Sequence, residues 1–115
     1  MSYFTEDELK CKCCGQNKLK PTALKKLNEA RSLSGVPYVL TSAYRCPEHN
    51  KKVGGSQTSS HVRGEAFDIA CGGSRSRYMI LEGLVTAGFT RIGIGEDFIH
   101  ADADELKDQE VVWLY

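Results

Sequence analysis

No stretch of this chain approaches the ~20 consecutive apolar residues needed to cross a bilayer, which excludes a membrane-spanning helix. Net charge is missing as well, because 15 Lys and Arg balance 15 Asp and Glu. A balanced chain has no long-range field to draw it onto nucleic acid or an anionic membrane, so a partner must be recognised locally. The N-terminus, Met-Ser-Tyr-Phe-Thr-Glu-Asp-Glu-Leu, lacks the basic start and apolar core of a secretory signal. The expectation is a protein made soluble in the cytoplasm, delivered by something else if it works outside. There is no internal repeat and no low-complexity tail.

At 115 residues the chain suits one domain spanning residues 1–115, since domains commonly run ~100–150 residues. Its 41% hydrophobic and 26% charged residues are the proportions of a globular domain and exclude wholesale disorder. The 5 cysteines are an odd set, with Cys11, Cys13 and Cys14 together and Cys46 and Cys71 apart. An odd count without an export signal argues against a disulfide framework. Cys-x-Cys-Cys before Gly15 is a possible metal loop. The run departs from the Cys-x2-Cys half-site, however, and no second pair is placed to close it. Reduced thiols packed in a loop are the expectation.

Pro21 opens a segment in which Leu24, Leu27, Ala30 and Leu33 recur at helical spacing, and Gly35 ends it. Residues 37–43 are rich in β-formers and read as a strand that delivers Ser42, Tyr44 and Arg45 to its far end. Residues 46–65 are polar, with a short helix over 47–53, and a loop of that length in a small domain is usually functional. Ala66–Ala70 alternates as a strand, with Ala66, Asp68 and Ala70 on one face and Phe67 and Ile69 on the other. Ser74 is placed to cap a second helix with Tyr78, Leu81, Leu84 and Val85 inward, ended by Gly88. Strands over 90–95 and Phe98–Asp102 follow, with Gly95, Glu96 and Asp97 at their turn, and 111–115 is a candidate edge strand. Short turns between the last strands favour antiparallel pairing, so the predicted fold is α+β, a small antiparallel sheet with helices packed on it.

Three residues of metal-ligating type fall where side chains could converge: His61 at the end of the polar loop, Asp68 within one strand and His100 within another. Two imidazoles and a carboxylate leave zinc an open position for water, as catalytic sites do. Asp68 strengthens this reading, because it lies inside the apolar run Ala-Phe-Asp-Ile-Ala, where a carboxylate is costly without a compensating cation. Asp102, two residues from His100 on the same strand face, is placed to hold a metal-bound imidazole. His49 reads as a surface residue.

These residues carry a resemblance. Ser59-Ser-His61-Val-Arg-Gly64-Glu-Ala66-Phe-Asp68 is similar to the S-x-H-x-x-G-x-A-x-D signature of the zinc D-Ala-D-Ala carboxypeptidases and L-alanyl-D-glutamate endopeptidases. That group resembles the hedgehog signalling domain in fold. Thr41-Ser-Ala-Tyr-Arg45 resembles the family's S-x-Y-R element, and Phe98-Ile-His100-Ala-Asp102 its second histidine motif, so the likeness covers nearly the whole chain. It implies one zinc ion held by His61, Asp68 and His100. Arg45 would stabilise an oxyanion or hold a substrate carboxylate, and Gln57 and Ser59 would line the substrate groove. Many relatives place Glu-x-x-His before the second histidine where this chain has Asp97-Phe-Ile-His100, which makes Asp97 the expected general base. Positions i and i+3 of a strand face opposite ways, so Asp97 can serve only from the turn. Asp102 and then Glu96 are the alternatives.

The implied function is a monomeric zinc metallopeptidase that hydrolyses bacterial peptidoglycan stem peptides. An L-alanyl-D-glutamate-type endopeptidase of phage or prophage origin is expected, released by a holin or carried on a virion. Trimming of a terminal D-Ala, a cytoplasmic recycling role, and a non-catalytic zinc domain of the same fold stay open. A cysteine nucleophile at Cys46 or Cys71 has no supporting local feature. A Cys-based zinc module at residues 11–15 that binds nucleic acid or protein is a third reading, and the neutral charge runs against its nucleic-acid version.

Overall fold

The computed structural model describes residues 2–115. Its elements are α1 (Glu6–Leu9), α2 (Pro21–Ser34), β1 (Leu40–Ser42), α3 (Pro47–Lys52), β2 (Ala66–Ala70), α4 (Ser74–Thr86), β3 (Arg91–Ile94), β4 (Phe98–Asp102) and β5 (Val111–Leu114). The sheet order is β1-β2-β4-β3-β5. As predicted, the fold is α+β, and the first four strands in that order pair antiparallel. The fifth corrects the purely antiparallel expectation, because β5 runs parallel to β3 and the sheet is mixed. The link from β4 to β5 is no hairpin turn. It runs back past the end of β3, where Arg91 donates to the Asp108 carbonyl at 2.6 Å and Val111 N–H to Thr90 at 3.0 Å.

Strand alternation divides the sheet into an apolar face and a polar one. Phe67, Ile69, Ile92, Ile99 and Ala101 point to the helices and form the core with Leu27, Ala30, Ile80 and Leu84. The intervening positions, among them Asp68, His100, Asp102, Arg91 and Trp113, therefore share the opposite face. Register places Asp68 directly across from His100, and His100 across from Gly93, which in turn faces Trp113.

The helices run where the spacing predicts but are rotated. Leu33 is exposed on α2, while Ala23, Leu27, Ala30 and Ser34 are buried. On α4, Tyr78 and Val85 are exposed, and Ile80, Gly83 and Leu84 are buried. The cause is a close crossing of the two helices at small residues. A Cβ on Gly83 would run into Ser34 Oγ and come within 2.6 Å of the Ala30 carbonyl. Apolar periodicity overlooks Gly and Ser, so it finds Leu27, Ala30 and Leu84 on the core but misses Ser34 and Gly83 and wrongly turns Leu33, Tyr78 and Val85 inward. Ser74 is also no cap, since Gly73 holds the N-cap position without a side-chain bond. Strand β1 starts later than predicted because the Tyr38 ring is drawn into the core, where its hydroxyl donates to the Ile80 carbonyl at 3.4 Å. The short helix α1, which spacing did not predict, carries a capping box of Thr5 and Glu8.

Candidate metal centre

Each ring of the site is set from its far side. His61 follows the polar loop and is buried, with its Nδ1 2.7 Å from the Ala43 carbonyl. That carbonyl has only acceptor lone pairs, so Nδ1 carries the proton and Nε2 presents a lone pair. Nε2 has no hydrogen-bond partner among the described residues and lies 3.3 Å from Asp68 Oδ2. His100 is turned the other way. Its Nε2 is 2.7 Å from Asp102 Oδ2, and its Nδ1 is 2.9 Å from Asp68 Oδ1. One atom from each of His61, Asp68 and His100 lies within 4.8 Å of the others. A buried, partnerless imidazole nitrogen aimed at a carboxylate shared with a second histidine is what zinc, with its preference for N and O donors in tetrahedral array, would satisfy. The three residues thus fit the ion.

Electrostatics describe the same cluster. Burial pushes the Asp68 carboxyl up, but the hydrogen bond to His100 and the adjoining imidazole of His61 outweigh it and hold the group well below the usual carboxylate range. Burial pulls the His100 imidazole down, yet its hydrogen bonds to Asp102 and Asp68 and their negative charges carry it above 6.5. Asp102 is pushed up by burial and pulled further down by His100, the Asp104 N–H and Arg91. In the metal-free protein a proton on His100 therefore occupies the place that a cation would take.

Asp102 has no free oxygen. Oδ1 accepts from Arg91 Nε at 2.8 Å and from the Asp104 N–H at 3.1 Å, while Oδ2 holds His100. Arg45 is as firmly held, with Nε donating to Ser42 Oγ at 2.9 Å and one terminal nitrogen to Asn50 Oδ1 at 3.1 Å. Its other terminal nitrogen is 3.4 Å from Asp68 Oδ2, so its planar fork sits at the edge of the cluster. The loop bearing His61 is tied down by Ser60, whose hydroxyl donates to the fully buried Asp104 at 2.9 Å. Gly64 of the His-x-x-Gly spacing has φ +73°, and a Cβ there would strike the Lys18 carbonyl, so only glycine lets the N-terminal segment cross this loop.

A cleft of about 370 Å³ opens over the cluster, lined by Arg45, Ser59, His61, Asp68, His100 and Asp102 among others. Ser59 lines it as expected. Gln57 does not, lying in a neighbouring depression with Pro47, Asn50 and Val62. Asp97 is exposed on the β3–β4 turn and outside the cleft lining. Glu96 is exposed beside it, and His49 is half-buried in α3. Spacing missed the opposite wall, made by Phe98, Trp113 and Tyr115. The Trp113 ring is 5.6 Å from that of His100, and the Arg91 guanidinium stacks 4.9 Å from its centre. The available signal was the alternation of Val111, Trp113 and Tyr115, which places three large residues on the site face of β5.

A mixed sheet backed by helices brings two histidines and an aspartate together beneath an open cleft, an arrangement that suits one bound metal ion. The family model for peptidase M15 matches residues 2–102, and the chain belongs to that family. No curated protein matches it. The family is one of zinc-dependent metallopeptidases acting on peptidoglycan, which is what the resemblance implied. Among the described residues no helix is long and apolar enough to cross a membrane.

Proposed function

We propose that the chain is a zinc-dependent endopeptidase that hydrolyses an internal bond of peptidoglycan stem peptides, of the L-alanyl-D-glutamate type. The observation that carries the reading is the opposed setting of the two imidazoles, which leaves His61 Nε2 and His100 Nδ1 both facing Asp68. Zinc, when bound there, supplies a Lewis acid and lowers the pKa of a water from 15.7 to ~7. Arg45, braced by Ser42 and Asn50, offers a charged donor to a carbonyl oxygen gaining negative charge. Asp102 fixes the tautomer and direction of His100 and takes no proton from substrate. Asp97 is the base in this reading. Its carboxylate, on the β3–β4 turn, has no hydrogen-bond partner among the described residues, and it would accept a proton from the attacking water and pass it to the leaving amine.

An internal cut is preferred over removal of a terminal D-Ala on the resemblance to the L-alanyl-D-glutamate endopeptidases and on a cleft that opens to solvent over the cluster. Digestion of defined muropeptides with mass identification of the new termini is the test. New N-terminal D-glutamate is expected, free D-Ala would refute the endopeptidase, and intact muropeptides in a zinc-loaded sample would refute catalysis. The phage or prophage setting belongs to the same reading, and a holin gene beside the coding sequence is its check.

A further inference from the structure

A second group of metal-ligating side chains lies away from the cleft. Cys11, Cys14 and Cys46 come from two distant parts of the chain, yet their sulfur atoms lie within 4.8 Å of one another. None of them is in a disulfide. Cys11 and Cys14 are the ends of a Cys-x2-Cys spacing once Cys13 is set aside, which corrects the expectation that no such half-site exists. The loop between them is closed tightly: Gly15 N–H donates to the Cys11 carbonyl at 2.9 Å, and Cys11 N–H to the Gln16 carbonyl at 2.7 Å. Gly15 directly follows with φ +74°, the left-handed turn that lets the chain wrap back around a ligand. Cys46, the N-cap of α3, brings the third sulfur, and its own N–H donates to Cys11 Sγ at 3.3 Å.

We propose that Cys11, Cys14 and Cys46 bind a structural zinc ion separate from the one in the cleft, with Cys13 completing four thiolates. Cys13 lies outside the group of three sulfur atoms but is exposed in the same loop, so it is the thiol available to turn in as the fourth ligand. Thiolate donors select soft or borderline cations, and four of them in a closed shell make a structural zinc site. Cys11 is prepared for this role. The Cys46 N–H already donates to its sulfur, which favours the thiolate form that a metal takes. On binding, each thiol releases its proton to solvent, and Lys52 near Cys13 offsets part of the charge left behind.

The ion would act as a clasp. It joins the N-terminal loop to the residue that follows Arg45, beside the contact in which Tyr44 N–H donates to the Leu9 carbonyl at 3.4 Å. The guanidinium at the edge of the cleft is thereby held from behind by a metal that takes no part in hydrolysis.

Cobalt reconstitution of the full-length, reduced protein tests this independently of any activity, because the His61, Asp68 and His100 centre contains no sulfur. An intense thiolate-to-cobalt charge-transfer band is expected, together with two metal ions per chain by elemental analysis. His61→Ala combined with His100→Ala is expected to keep the band and one ion, and Cys14→Ser combined with Cys46→Ser to lose the band. A folded wild-type protein that takes up cobalt without a charge-transfer band would overturn the proposal. So would a native mass two hydrogens short, which marks a disulfide among these cysteines.

Discussion

Replacing Asp102 by asparagine removes one charge and keeps the shape, and its effect follows from the bonds at that position. The two aspartate oxygens accept from three donors: His100 Nε2, Arg91 Nε and the Asp104 N–H. Asparagine has one carbonyl oxygen, so either its amide hydrogens face the His100 N–H or they face the Arg91 guanidinium. At a side chain only 1% exposed no water stands by to repair the mismatch. If the carbonyl stays with Arg91, His100 loses the acceptor that holds its proton on Nε2, and Nδ1 no longer presents a lone pair beside Asp68. Loss of such an orienting partner costs a zinc site 10–100-fold in affinity, or about 1.4–2.8 kcal/mol. The assay is competitive titration of zinc against a chelator, with the His61 and His100 ring resonances reporting on this centre. A weakened affinity with residual hydrolysis at saturating zinc is expected. If Asp102→Asn bound zinc as tightly as the parent and abolished turnover, Asp102 would be the base and the positioning argument would fail.

Asp97→Asn is expected to leave zinc affinity unchanged and lower kcat by about 100-fold or more, the scale of a lost general base; unchanged turnover would remove Asp97 from the mechanism. In the zinc-free protein the carboxyls of Asp68 and Asp102 lie below 3.8, so their contribution is full above that pH and is lost as pH falls through the folded values. His100 lies above 6.5, so its contribution is full below 6.5 and is lost as pH rises through the folded value. Urea unfolding of stripped protein should therefore be most stable between 3.8 and 6.5; stability still climbing above pH 7 would contradict the assignment. Gly83→Ala should cost about 1–3 kcal/mol, read as a lowered Tm, because its Cβ meets Ser34 and the Ala30 carbonyl. Trp113→Ala should raise KM for muropeptides more than it changes kcat, since the ring walls the cleft and supplies none of the ligand atoms; an unchanged KM would remove β5 from the substrate site.

Much of the site was legible because its parts are local. The strand Ala66–Ala70 is found where alternation predicts it, and that alternation puts Asp68 on the polar face with an energetic reason to need a cation. Asp102 was legible as the partner of His100 because residues two apart on a strand share a face. Helix faces were less legible, since the close crossing of α2 and α4 rests on Ser34 and Gly83, to which hydrophobic spacing is blind.

The sequence by itself determined the ligand chemistry and the polar loop between the halves of the site, because each depends on residue type and short spacing. Tertiary structure alone decided which nitrogen of each histidine is free, since that depends on the Ala43 carbonyl and the Asp102 carboxylate across the fold. It also decided that β5 joins in parallel and brings Trp113 over His100, and that Cys46 meets Cys11 and Cys14. These meetings join segments far apart in the chain, and what selects them is the closing of one core around Leu27, Ile69 and Ile99, which no local pattern records.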